Sequence, residues 1–309
     1  MLRLLRQCLG SLMSCVIVHA SAKINLSLRV VGKRADGYHL LESHVVFTEY
    51  GDVVEVCPAA ELLLEIIGEF AEAFAGEDIE KNLVWKAAEA LQAYLPEPSG
   101  AKITLTKNLP IGSGIGGGSA DAAATIRALC QLWRLEIPEN ELAQIALKLG
   151  SDVPVCLYAK SAMMRGIGEE ISPAEPPAQK YIVLINPLIP LSTAEVFLSL
   201  RGGLDDAAIQ SLSLGGSGLL PAASSACSRN DDLAGYINHL QPAAIQKLPI
   251  IAELLAAIEA TDNCRFAQMS GSGATCFGLY DSENDARSAA QKLRAQYLQM
   301  WCINTKLKN

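Results

Sequence analysis

Apolar and polar residues alternate where the chain first becomes regular. Ile24, Leu26, Leu28 and Val30 are apolar, while Asn25, Ser27 and Arg29 are polar. A period of two predicts a half-buried strand with Lys23, Asn25 and Ser27 on its polar face. Asp36-Gly37 is a hairpin signal, and residues 41–48 read as the returning strand. Residues 53–57, 62–67 and 103–106 predict three more strands. The period then changes. Behind Asn82, a good N-cap residue, Leu83, Val84, Ala87, Ala88, Leu91 and Leu95 form one helical side. From Ser119 onward, Ala122, Ile126, Leu129, Cys130 and Trp133 recur at helical steps. Pro138 starts a helix carrying Leu142, Ile145, Ala146 and Leu149, and Gly150 stops it.

Residues 161–180 hold Pro173, Pro176 and Pro177 and read as a crossing between domains. A strand follows over 181–186, then a short helix over 192–200 carrying Phe197. Residues 202–229, rich in Gly, Ser and Ala, read as a variable surface segment. The remainder predicts a helix over 245–260 and strands over 265–269 and 275–280 flanking Ser270-Gly271-Ser272-Gly273. A helix capped by Ser282, with Asp285 three residues on, precedes a last strand over 301–307. Hairpins and an irregular alternation of helices and strands give an α+β fold rather than a doubly wound sheet.

The chain has 309 residues, half of them hydrophobic, enough for one large domain or two ordinary ones. A formal net charge of −8 argues against a nucleic-acid or anionic-membrane partner. Any phosphate ligand would therefore need a local concentration of positive potential. The nine cysteines form no CxxC pair, and the four histidines show no zinc spacing. Reduced, mostly buried thiols in a cytoplasmic protein are the simplest account. Residues 1–18 imitate a signal peptide, but Gln7, Gly10, Ser11 and Ser14 break the apolar run. They read as a poorly ordered extension or an upstream start.

The densest chemical signal is Pro110-Ile111-Gly112-Ser113-Gly114-Ile115-Gly116-Gly117-Gly118-Ser119-Ala120, with five glycines in seven residues. Its missing Cβ atoms allow backbone to approach a ligand closely. It runs into a helix N-terminus, where unpaired N–H groups and the dipole attract phosphate. Ser119 could cap that helix and offer a hydroxyl to phosphate or to its metal. No Gly-Lys-Ser/Thr closes a Walker loop, and no buried strand with a properly spaced acid makes a Rossmann fingerprint. A flexible surface loop is the plain alternative. Asp152 is the leading candidate for a reactive carboxylate, but Asp before Val153-Pro154 is also an ordinary N-cap. Lys23 alone also fits a solvated strand lysine, Tyr38-His39 fits turn packing, and residues 270–273 fit a tight hairpin.

Taken in order, five blocks resemble the GHMP kinase superfamily: Lys23-Ile24-Asn25-Leu26, Arg34-Ala35-Asp36-Gly37-Tyr38-His39, the glycine run, Gly150-Ser151-Asp152-Val153-Pro154 and Gly271-Ser272-Gly273-Ala274-Thr275-Cys276. The likeness spans roughly residues 20–307. The Arg-x-Asp-Gly-Tyr-His block is similar to the branch acting on a cytidine diphosphate-linked methylerythritol in the non-mevalonate isoprenoid pathway. The resemblance implies two domains, 1–164 built like the second domain of ribosomal protein S5 and 165–309 ferredoxin-like, with the active site in the cleft between them. It implies ATP over residues 110–120, with Asn82 and Lys107 at the nucleotide, Mg2+ accompanying ATP and no protein metal ligand assigned beyond Ser119. Lys23 and Asp152 would serve the phosphoryl transfer to the substrate 2-hydroxyl, with Asn25 beside Lys23. Tyr38 would stack on cytosine, His39 bond its edge and Phe197 close the other face, as single bases are read. Gly271, Ser272 and Gly273 would offer N–H groups to substrate phosphates. Ser21, Cys156 and Leu157 depart from the family pattern. Another GHMP small-molecule kinase, acting on mevalonate or homoserine, and a non-catalytic nucleotide binder are the competing readings. Oligomeric state is not addressed by these motifs.

Overall fold

A computed structural model of the chain describes residues 15–35, 37–97, 99–200, 233 and 235–308. The Gly/Ser/Ala segment, most of the expected N-terminal extension and Asp36 of the hairpin signal lie outside the described residues.

The first sheet is built on one long strand, β3 (His39–Ala59). One of its edges pairs antiparallel with β1 (Val16–Asn25) and β2 (Arg29–Lys33). The other edge pairs with β5 (Gly100–Thr106) and β6 (Ala162–Gly166). β4 (Leu62–Ile67) lies parallel to β5, and β7 (Glu170–Pro173) lies antiparallel to β6. Four helices accompany this sheet: α1 (Leu83–Gln92), α2 (Gly117–Trp133), α3 (Glu139–Leu149) and α4 (Val153–Tyr158). Val84, Ala87, Ala88 and Leu91 of α1 are wholly buried with the alanine-rich face of α2 in one core.

The second sheet has the order β11-β8-β10-β9, all antiparallel, from β8 (Tyr181–Asn186), β9 (Phe266–Met269), β10 (Cys276–Tyr280) and β11 (Trp301–Lys306). Among the described residues, α5 (Thr193–Leu200), α6 (Gln241–Lys247), α7 (Ile250–Glu259) and α8 (Glu283–Gln296) accompany this sheet. The βαββαβ order is the ferredoxin-like arrangement that the resemblance implied. A third apolar cluster joins the halves, with Ile24, Leu26 and Val46 from the first meeting Leu184, Phe277 and Trp301 from the second. No helix among the described residues is long and apolar enough to cross a membrane.

Several expectations are corrected. β1 begins at Val16, so residues 16–18 are strand rather than extension. The strand expected over 24–30 is split at 26–28, and its polar face is buried too, with Asn25 and Ser27 enclosed. The cause is the second half, where Gln268 Nε2 donates to the Leu26 carbonyl at 2.8 Å. The two strands expected at 41–48 and 53–57 are one strand. Between them the β1 pairing slips at Thr48-Glu49-Tyr50, and beside the slip Gly51 lets the strands approach, because a Cβ there would sit 2.2 Å from the Ala20 carbonyl oxygen. Residues 162–173, expected as a domain crossing, add two strands to the first sheet instead. Residue 164, the implied boundary, lies inside β6. The helix expected over 245–260 is two helices, because Pro249 interrupts it. Cys15, just before β1, and Cys57 in β3 form a disulfide rather than reduced thiols; Cys130, Cys156, Cys264, Cys276 and Cys302 form no disulfide among the described residues.

Candidate active site

A cleft of about 510 Å³ opens between the two halves. Its floor is the glycine loop joining β5 to α2. The loop is held from both sides. Leu109 and Ile115 anchor it in the interdomain cluster, and the Ile115 carbonyl accepts the Lys23 amide at 2.9 Å. From the second half, Thr275 donates its amide at 3.1 Å and its hydroxyl at 2.6 Å to the Ser113 carbonyl. The Ser270 hydroxyl donates to the Gly114 carbonyl at 3.1 Å. Gly116 has φ +65° as the N-cap of α2, and a Cβ there would press on the Lys23 side chain at 3.2 Å. α2 begins at Gly117, so Ser119 lies inside the first turn and is not the cap. A helix that starts two residues earlier leaves the cap to a residue without a side chain.

The structure brings most of the expected residues to this cleft. Pro110, Ile111, Gly112, Ser113, Gly114, Gly116, Gly117, Gly118 and Ser119 line it, as do Asn82, Lys107, Lys23, Asn25, Asp152, Phe197, Gly271 and Ser272. Ile115 and Ala120 turn into the core instead. Gly273 spends its N–H on the Ser270 carbonyl at 3.0 Å, because the 270–275 segment closes on itself as a tight turn.

Lys23 and Asp152, 129 positions apart in sequence, meet at 2.6 Å. The lysine side chain is buried and the carboxylate about one-third exposed. Asp152 occupies the N-cap position of α4, yet its side chain caps nothing. The ordinary N-cap alternative is therefore removed: the carboxylate pairs with the lysine on the first half's side of the cleft. Beside them, the Asn25 amide group donates to Ser43 at 2.7 Å, while its buried Oδ1 accepts no hydrogen bond. Ser272 and Thr193 share a hydroxyl contact of 2.7 Å on the opposite wall.

Tyr38 and His39 are not among the residues that line the cleft, and His39 reaches its edge through Phe197. His39 and Phe197 stack with ring centroids 5.2 Å apart and planes inclined by 26°. Tyr38 is 64% exposed. Asn82 caps α1, its side chain accepting the Val84 amide at 2.9 Å.

Lys107 differs most from a simple nucleotide contact. Its ammonium is buried between Asp52 and Asp121, 2.7 Å from the latter. Asp52 escaped the sequence reading because Tyr50-Gly51-Asp52 looks like a break between strands. Asp121 follows the glycine run directly, inside the helical pattern, where no local signal marks it as a partner for Lys107. Burial pushes the Asp121 carboxyl up from 3.8 to about 8, against the pull of the Lys107 ammonium. A carboxyl whose pKa is higher folded than unfolded contributes most below its unfolded value and loses that contribution as pH rises through the folded one. Asp121→Asn is therefore expected to flatten the decline of Tm between about pH 4 and pH 8. A variant Tm that falls as steeply as that of the natural chain contradicts this.

Residues 82–160 match the GHMP kinases N terminal domain, and residues 219–299 match the GHMP kinases C terminal domain. The 4-diphosphocytidyl-2-C-methyl-D-erythritol kinase of Paramagnetospirillum magneticum is 44% identical over 295 residues, covering 96% of this chain and 99% of that protein. The enzyme of the same name from Parvibaculum lavamentivorans is 47% identical over 286 residues, covering 91% and 94%. A crystal structure of 4-(cytidine 5'-diphospho)-2C-methyl-D-erythritol kinase superposes with a TM-score of 0.73 at 30% identity, covering 95% of this chain and 100% of that one. Homoserine kinase from Cytophaga hutchinsonii shares the fold, with a TM-score of 0.64 at 20% identity and coverage of 97% and 96%. Two matched domains and relatives alike over nearly their whole length lead to one conclusion: this chain belongs to the GHMP kinases and, within them, to the 4-diphosphocytidyl-2-C-methyl-D-erythritol kinase family.

Proposed function

We propose that this chain transfers the γ-phosphoryl group of ATP to the 2-hydroxyl of 4-diphosphocytidyl-2-C-methyl-D-erythritol, with Lys23 and Asp152 at the acceptor oxygen. The carrying observation is that two residues 129 positions apart form an ion pair inside the cleft whose floor is the glycine loop. Phosphoryl transfer passes through a loose, in-line transition state, so catalysis is mostly positioning and charge stabilisation. The glycine loop and the first turn of α2 present N–H groups to the ATP phosphates. Asp152 orients the acceptor hydroxyl and takes its proton late, as suits a carboxyl whose ordinary pKa is about 3.9. Lys23 offsets the negative charge that gathers beside it.

The donor set suits a Mg2+ ion carried with ATP rather than a resident metal. Asp152 and Asp121 are each paired with a lysine, so Ser119 would be the protein ligand and phosphate oxygens and water the rest. When bound, that ion neutralises charge on the transferring phosphates. Tyr38, His39 and Phe197 take the cytosine, a role supported for the latter two by the stacking of His39 on the cleft-lining Phe197. Asn25, Gly271 and Ser272 face the rest of the acceptor. Sheet membership supports a first domain that ends after β7 rather than at residue 164.

The test is turnover of ATP with the cytidyl substrate, mevalonate and homoserine in parallel. Turnover confined to the cytidyl substrate is expected, and turnover with either of the others alone overturns the assignment. His39→Ala should raise KM for the cytidyl substrate by about tenfold or more, because base stacking and edge bonding contribute about 1–3 kcal/mol. KM for ATP should stay nearly constant. Equal changes in both remove His39 from the base pocket.

A further inference from the structure

Beneath the glycine loop lies a buried ionic cluster of Asp52, Lys107 and Asp121, the last two of which line the cleft. Asp52 stands in β3 in register with Ala20 of β1, and it is fully buried. Its Oδ1 accepts the amides of Asn108 at 2.6 Å and Leu109 at 2.9 Å, the two residues that lead into the loop. Its Oδ2 accepts a hydrogen bond from the Lys107 ammonium. The same ammonium donates to Asp121 Oδ2 at 2.7 Å, in the second turn of the helix that ends the loop. One side chain thus ties both ends of the glycine loop to the central strand.

The cluster also touches the loop itself. A Cβ at Gly117 would lie 3.6 Å from Lys107 Nζ and 3.7 Å from Asp52 Oδ2. Buried ion pairs contribute little net stability compared with apolar packing of the same volume. Their value here is directional: carboxylate oxygens that accept several charge-assisted bonds fix the orientation of the backbone they hold.

We propose that Asp52 is a positioning residue for phosphoryl transfer, holding residues 108–109 directly and the start of α2 through Lys107 and Asp121, so that the loop amides aim at the nucleotide. The proposal rests on the reading of the glycine loop as the ATP site. It separates ATP from the acceptor: Asp52 touches elements of the loop and none of the base-binding flank.

The experiment compares the natural enzyme with Asp52→Ala and Asp52→Asn. Asparagine keeps an acceptor for the two amides and loses only the charge toward Lys107. Asp52→Ala is expected to raise KM for ATP about tenfold or more, the size of losing hydrogen bonds to a charged acceptor. KM for the cytidyl substrate should stay unchanged, and Asp52→Asn should recover part of the ATP effect. Hydrogen exchange of the amides of residues 108 and 109 should quicken in Asp52→Asn, a readout that does not require the alanine variant to fold. Equal loss for both substrates, or unchanged KM for ATP and unchanged exchange in Asp52→Asn, overturns the positioning role. Failure of the natural enzyme to bind an ATP analogue overturns the loop reading itself, and this proposal with it.

Discussion

Replacing Asp152 by asparagine is expected to lower kcat by about 10²–10⁴-fold, the usual contribution of a positioned acid–base group. Affinity for a non-hydrolysable ATP analogue should be nearly unchanged. Asparagine has the same shape and can still accept from Lys23, but it carries no charge and takes no proton. The substitution spares the local fold, because the Asp152 side chain caps no helix and is about one-third exposed. Lys23 is different: its side chain is nearly fully buried, and removing its counter-charge leaves a cation with weaker compensation. Some loss of Tm is therefore expected alongside the kinetic effect. The two separate cleanly, since a purely structural role would lower Tm and leave kcat per folded molecule intact. A variant with kcat within a few-fold of the natural chain removes Asp152 from the reaction.

Gly114→Ala is expected to reduce kcat/KM for ATP by about 10²-fold or more, the scale of a 1 Å misplacement at a reacting centre. Gly114 has φ +75°, a conformation that costs an L-residue roughly 1–2 kcal/mol. Its added Cβ would also lie 2.5 Å from the Gly273 carbonyl oxygen and 2.6 Å from that of Ser270. Both are backbone atoms in the tight turn that clasps the loop, so neither can rotate away. The loop and the turn must separate, and the hydrogen bonds from Ser270 and Thr275 separate with them. Gly112→Ala is the control. It shares the positive φ, but nothing lies within 4 Å of its added Cβ, so it meets conformational strain alone. Its loss should be clearly smaller. Equal losses would show that conformation, not the clasp, governs the loop.

Much of this machinery is legible along the chain because it is local. The helical period behind Asn82, the cap at Ser282 and the glycine run ahead of a helix all involve neighbours in sequence, and each appears in the structure. What period alone misses is set by distant partners. Residues 16–18 share their apolar character with a signal peptide, and only pairing with β3 makes them strand. Tyr50-Gly51-Asp52 has the composition of a turn, yet Gly51 serves the close approach of β1, and Asp52 is buried beneath the loop. Only the resemblance puts Lys107 at the nucleotide, and its enclosure by Asp52, 55 positions before, and Asp121, 14 after, has no local signal. The meeting of Lys23 with Asp152 came from the motif resemblance, since no pattern spans that interval.

The most direct test of the account is a crystal structure with a non-hydrolysable ATP analogue and the cytidyl substrate bound together. The account places the phosphates against residues 112–119 and the acceptor oxygen within hydrogen-bond reach, about 2.6–3.2 Å, of the Asp152 carboxylate. Phosphates bound away from the glycine loop, or an acceptor oxygen on the far side of the cleft from Asp152, would contradict it.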